Sequence, residues 1–181
     1  LTMASTILVD KIDPQSGTSL EIGNSGDTIN FTTGTTISGS AANAPAFHVS
    51  LSSAASIANT TSTQLIYDQE TFDTNSAYNT STGFFTVPAN LGGKYFIYAT
   101  SGLDNVTPQR CSTTVEKNST NSLLTTEFGN GSPYERSTTS GVVSLSAGDT
   151  LRVVIYQNGG GSSNTLTGRS CCFGGYRIIG A

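Results

Sequence analysis

His48 is the single histidine of the chain, so any acid–base relay of the Ser-His-Asp kind would have to run through it. It stands in AFHVSL, and on a strand its neighbours Phe47 and Val49 point to the opposite face. No G-x-S-x-G elbow accompanies it, and pairing it with a cysteine fares no better. A structural or surface role is expected. The twelve carboxylates are scattered, with Asp68, Glu70 and Asp73 forming the closest cluster. Spacing alone leaves a glycosidase-type pair open, yet on a strand Asp68 and Glu70 share a face that Asp73 does not. Cys111, Cys171 and Cys172 are odd in number and include a vicinal pair that closes on itself only with strain. No C-x-x-C is present for zinc, so the expectation is buried thiols. Asp104 with Asn105 offers oxygen ligands of the kind calcium takes, and ordinary loop polarity accounts for them equally well. The glycines at 159–161 lack the Lys-Ser/Thr of a phosphate loop. No enzyme and no obligate cofactor is expected from this set.

Composition narrows the classes further. Only 11% of the 181 residues are charged, and the net charge is −4. No cluster of Lys and Arg exists to track phosphates, which argues against nucleic acid as a partner. No apolar run reaches the ~18 residues of a membrane-spanning helix. The opening LTMASTILVDKIDPQSG lacks the charged start, apolar centre and cleavage site of a signal peptide. Six N-x-[ST] triplets, at Asn30, Asn59, Asn79, Asn105, Asn118 and Asn130, are read as chance in a chain so rich in these residues. Thr, Ser, Asn and Gly with Val, Ile, Tyr and Phe favour strands and turns over helices.

The elements that would position these groups fall into two regions. Residues 1–40 carry short apolar pieces (ILV at 7–9, then Leu20, Ile22, Ile29, Phe31 and Ile37) between turn-forming separators. They are too few for a core of their own, so the segment is expected to bury them against copies of itself or a docking protein, as a β-rich stalk or anchor does. A flexible tether is the other reading. Residues 41–45 look like a hinge. From 46 to 181 the apolar pattern is dense, with strand candidates at 46–51, 64–72, 83–87, 94–101, 112–118, 140–146, 149–158 and 171–180. Strands separated by turns and without helices predict an all-β antiparallel sandwich.

Within this region FDTNSAYNTSTGFFTVPANLGGKYFIYATSG resembles the signature of the complement C1q globular head. The matching residues are Phe72, Asp73, Asn75, Tyr78, Asn79, Thr82, Gly83, Phe85, Thr86, Pro88, Gly93, Tyr95 and Ile97, with Ile97 standing where Phe is common. AFHVSL resembles the opening strand, SGVVSLSAGDTLRVV the late hairpin and FGGYRI the closing strand. The resemblance implies a ten-strand jelly roll shared with tumour necrosis factor and assembled as a homotrimer. The N-terminal STILVDKIDPQSGTSLEIGNSGDTI resembles the leading segment of structural fibre proteins of marine tailed phages.

One feature of KYFIYATS fits assembly. Pleating places Tyr95, Ile97 and Ala99 on one side and Phe96 and Tyr98 on the other. The first set suits a core. The second is a liability on a monomer and is expected to be covered by a neighbouring subunit. Recognition is then expected at the distal loops, in the turn at 101–110 and the turn before CCF, with Asp104, Asn105, Gln109, Arg110 and Arg169 as candidates. The whole reads as a virion protein: a trimeric phage tail fibre or spike, docked through its N-terminal segment, whose head binds a host surface glycan or protein. A capsid or tail decoration trimer with a stabilising role is the alternative, and a secreted trimeric lectin or ligand the third reading.

Overall fold

Strand-forming side chains recur along the described part of residues 46–178, and strands joined by turns result. The structure is a computed structural model. It describes residues 44–104, 110–129 and 134–178, with positions 12, 22, 28–31 and 33 of the preceding segment. The chain divides into two units, Leu1–Thr36 and Ile37–Ala181. The N-terminal apolar pieces at 7–9, 20 and 37 lie outside the described residues.

Among the described residues there are thirteen strands and no helix. In chain order they are β1 (Ala46–Leu51), β2 (Ser56–Ile57), β3 (Thr63–Leu65), β4 (Gln69–Asp73), β5 (Tyr78–Asn79), β6 (Phe84–Thr86) and β7 (Gly93–Asp104). Then follow β8 (Cys111–Lys117), β9 (Asn121–Phe128), β10 (Tyr134–Leu145), β11 (Thr150–Gln157), β12 (Ser163–Thr165) and β13 (Gly168–Arg177). All pairings are antiparallel.

Two sheets face one another as a jelly-roll sandwich. The first runs β2-β12-β7-β13-β1-β4, with β10 along the other side of β7. The second runs β5-β6-β11-β8-β9, with β3 also on β11. β7 anchors the first sheet because it pairs along its whole length with β10, from Gly93↔Leu145 to Asp104↔Tyr134. Its inward residues Tyr95, Ile97, Ala99 and Leu103 are fully buried. They meet Leu151, Val153 and Ile155 of β11 and Val115 of β8 in a common core. Aromatic rings fill one half of that core, with Phe47 stacked on Phe85 at 4.5 Å and edge-on to Phe173 at 5.0 Å. Toward the Asp104 end the core takes in hydroxyls. Ser101, Thr113 and Ser137 are buried and bonded in a chain across the two sheets, the Thr113–Ser137 contact being 2.7 Å. Buried hydroxyls are tolerable because each finds a partner.

The expected strand at 64–72 is two. β3 belongs to the second sheet and β4 to the first, and the chain crosses between them at 66–68. Tyr67 at the crossing is wholly buried, and its backbone N–H donates to the Tyr78 hydroxyl at 3.1 Å. β9 and the first half of β10 were not expected. NSLLTTEF and YERSTTS carry their strand preference in Thr and Ser rather than in apolar alternation, so periodicity passes over them.

Candidate functional site

The outward face of the first sheet assembles side chains from five strands in cross-strand rows. In one row Phe72 on β4 pairs with His48 on β1, His48 with Gly174 on β13, Gly174 with Tyr98 on β7, and Tyr98 with Ser140 on β10. The next row holds Ala46, Tyr176, Phe96 and Val142, and the row on the other side holds Gln69, Ser50, Cys172, Thr100 and Thr138. No residue in these three rows is Asp, Glu, Lys or Arg. Phe72, Val142 and Tyr176 are exposed, Val142 by 58%, while Phe96, Tyr98 and His48 are half-buried. The outward face of the second sheet is different. There Arg152 pairs with Glu116 at 2.8 Å and reaches Gln64 and the Ser119 carbonyl, and Thr125 bonds Thr114.

Gly174 sits between Tyr98 and His48, and its lack of a side chain shapes the row. A Cβ there would come within 2.7 Å of the Phe47 carbonyl oxygen and closer still to the Tyr98 hydroxyl. The Tyr98 ring therefore lies over the glycine, and its hydroxyl reaches Nδ1 of His48 at 2.6 Å. Phe72 stacks on the imidazole from the other side at 6.3 Å. Burial raises the Tyr98 phenol above its ordinary pKa, with Cys172 adding to the shift. The hydroxyl therefore stays protonated at neutral pH and can donate.

His48 is thus set among aromatics, with Tyr98 as its partner. The carboxylates of the expected cluster are occupied by turns. Asp68 accepts from the Ser52 amide at 2.8 Å and from its hydroxyl at 2.5 Å. Asp73 accepts from the amides of Tyr78 at 2.7 Å and Asn75 at 3.2 Å. The three cysteines are buried and none is in a disulfide. Cys171 faces Gly102, whose amide donates to its sulfur at 3.2 Å, and burial pushes its thiol up to about 11. Among the described residues no group of three or more His, Cys, Asp or Glu is placed to hold a metal.

The pleat read from KYFIYATS matches the structure: Tyr95, Ile97 and Ala99 are in the core, with Phe96 and Tyr98 outside. The distal candidates are dispersed. Asn105 and Gln109 lie outside the described residues. Asp104 is the last residue of β7 rather than part of a turn, because Leu103 is buried and β12 and β10 both continue their pairing to Asp104. Its carbonyl accepts from the Ser163 hydroxyl at 2.8 Å. Arg169, expected in a turn, is on β13, which opens at Gly168 opposite Leu51; its side chain is exposed. Arg110 pairs with Glu127 of β9 and lies 5.5 Å over the Tyr156 ring. The head's chain ends lie at the other end of β7, where the Arg177 amide bonds the Pro45 carbonyl and the Ile178 amide the Lys94 carbonyl. Sequence reasoning put His48 on the face opposite Phe47 and Val49, as the structure has it, but missed Phe72, Val142, Tyr176 and Gly174 as members of the outward face. The paired glycines of FGGYRI were the available signal, since glycine inside a strand marks close approach of a neighbour.

None of the curated proteins compared with the chain matches it. Solved structures do. A structure of murine APRIL superposes with a TM-score of 0.58 at 16% identity, covering 74% of this chain and 98% of that one. The globular domain of zebrafish complement 1qA gives 0.52 at 19% identity, covering 75% and 98%. Eiger TNF from S. frugiperda gives 0.54 at 14% identity, covering 75% and 93%. At these identities the likeness speaks for the fold. The sequence itself matches the C1q domain over residues 46–178, the stretch that builds both sheets, and on that match the chain belongs to the C1q domain family.

Proposed function

We propose that the protein is a homotrimeric fibre or spike component of a phage particle, with its C1q-type head displayed for contact with a host surface glycan or protein. The observation that carries the assembly is the outward face of the first sheet, with three rows free of formal charge and rich in aromatics. A chain of net charge −4 repels its own copies least where it carries no charge. An uncharged apolar face offers no charge for an acidic or basic partner to match, and copies of the chain arranged about a three-fold axis can bury it against one another. The fibre role draws on the resemblance of residues 1–40 to phage fibre segments. It draws also on Ile12, Ile22, Ile29 and Phe31, which are all more than half exposed on the single chain and suit a stalk that buries them against its own copies. With the head's chain ends at the Gly93 end of β7, Asp104 stands at the opposite end.

A decoration or cement trimer is the second reading. It is favoured by Arg110, whose guanidinium is already engaged by Glu127 and Tyr156 and so has less to offer a receptor. Electron microscopy of particles labelled with an antibody against the head separates the two. Label at the tail-distal tips, with binding of the purified full chain to host cells, supports the adhesin. Label on capsid axes without cell binding contradicts it.

A further inference from the structure

We propose that His48 is an acid-sensitive clasp: its protonation opens the contact that copies of this chain make through the outward face of the first sheet. The proposal rests on the assembly reading above.

The chain's only imidazole lies in the middle row of that face, between Phe72 and Tyr98. Two neutral arrangements serve the 2.6 Å contact with Tyr98. Either the hydroxyl donates to Nδ1, or Nδ1–H donates to the hydroxyl oxygen. Protonation leaves only the second, and it fixes a full charge on a face that has no acidic side chain in its three rows. On an exposed face water would solvate that charge. Covered by the neighbouring copies in a trimer it would not, and burial without a counter-charge disfavours the charged form. The assembled state therefore binds fewer protons than the separated chains, so falling pH drives separation.

The groups facing His48 from each packed element contain no compensating anion. β4 presents Phe72, with Gln69 in the neighbouring row. β13 presents Gly174 between Cys172 and Tyr176, and β7 presents Tyr98 between Phe96 and Thr100. The nearest carboxylates along β4 are Glu70, which is exposed and lies outside the three rows, paired with Val49 across a bulge, and Asp73, held by the Tyr78 and Asn75 amides. Lys94 lies on β7 at one end of the face and Arg136 on β10 at the other, opposite Gly102; both would add to repulsion of a cationic His48.

A trimer carries three such histidines. Each separated chain then binds one proton more than it does in the trimer, so once the separated chains are protonated the association constant can fall by up to about a thousand-fold per pH unit. The test is a dilution series of the full chain, followed by light scattering at pH 8 and pH 5, for the native protein, His48→Gln and His48→Asn. Near-ultraviolet circular dichroism checks that each stays folded. The native trimer should weaken at least a hundred-fold at pH 5, and the neutral variants less than about three-fold. Because there is a single histidine, its ring-proton resonance in the native chain gives a second reading: its titration should coincide with loss of the trimer. A native trimer equally tight at pH 8 and pH 5 overturns the clasp and leaves the assembly reading standing. Equal acid weakening in native and variants also overturns it and assigns the effect to carboxylates. A monomer at pH 8 overturns both.

Discussion

Gly174 shows how far a single residue reaches in this fold. Its missing side chain lets the Tyr98 ring lie flat across β13 and meet His48, two strands away from β7. Gly174→Ala should cost about 1–3 kcal/mol, the usual range for overpacking, because moving the tyrosine tip does not relieve the clash with the Phe47 carbonyl. Urea unfolding of the full chain measures this, and a loss below about 0.5 kcal/mol would show that the ring does not depend on the glycine. The cysteines make a second residue-scale prediction. Burial raises the thiols of Cys171 and Cys172, and a raised thiol presents less thiolate at any given pH. The native protein should therefore react slowly with a thiol reagent at pH 8, and all three cysteines should react once it is denatured. The expectation of buried thiols could be read from odd count, vicinal pairing and absent metal spacing. The His48–Tyr98 bond could not, because it depends on the register of three strands distant in sequence.

At the scale of elements, β7 was readable because its consecutive aromatics resolve under a period of two into a core side and an outer side. β9 and the start of β10 were not, because Thr fits a half-buried strand without marking which face is inward. Asp104 and Arg169 were read as turn residues for the same reason: the polar run at 101–110 and the Gly-Arg-Ser before the cysteines look like loops until strand pairing is known. The outer side of β7 and β10 yields a direct expectation. Val142→Asp should leave the head folded, since Val142 is 58% exposed, yet weaken assembly a hundred-fold or more if the added charge becomes buried, at ~3 kcal/mol or above. Phe96→Asp and Tyr98→Asp should lose assembly or folding, since both side chains are half-buried already. Sedimentation of the variants beside the native chain decides this, and normal trimers in all of them would count against the face.

The turn before β11 offers a pH test of a different kind. Burial tends to raise the Asp149 carboxyl, but bonds from Lys117 at 2.5 Å, the Ser146 amide at 2.7 Å and Asn118 at 3.0 Å together lower it. A carboxyl lowered in the folded state adds stability above its unfolded pKa and loses it as pH falls through the folded one. Asp149→Asn should therefore destabilise by about 1–2 kcal/mol at pH 7 through lost charged hydrogen bonds. The gap should narrow only below the ordinary aspartate range near pH ~3.9. Denaturation midpoints at pH 7 and pH 3 provide the comparison, and a gap unchanged between them would contradict the assignment.

For the whole molecule, the two faces of the sandwich divide the work. The second sheet turns ion pairs and hydroxyls outward, and the first turns an uncharged aromatic surface outward that a single copy leaves bare. The family and the sandwich could be read from ordered motifs between residues 46 and 180, but the extent of the bare face could not. Phe72, Val142 and Tyr176 come from three strands that only the sheet order brings beside Phe96 and Tyr98. Assembly through that face is the central claim, and display on a particle, distal recognition and the acid clasp all depend on it. Light scattering of the full chain at micromolar concentration and pH 8 tests it most directly. The account predicts a mass three times that of the 18.7 kDa chain, and a stable, folded species at the mass of one chain would contradict it.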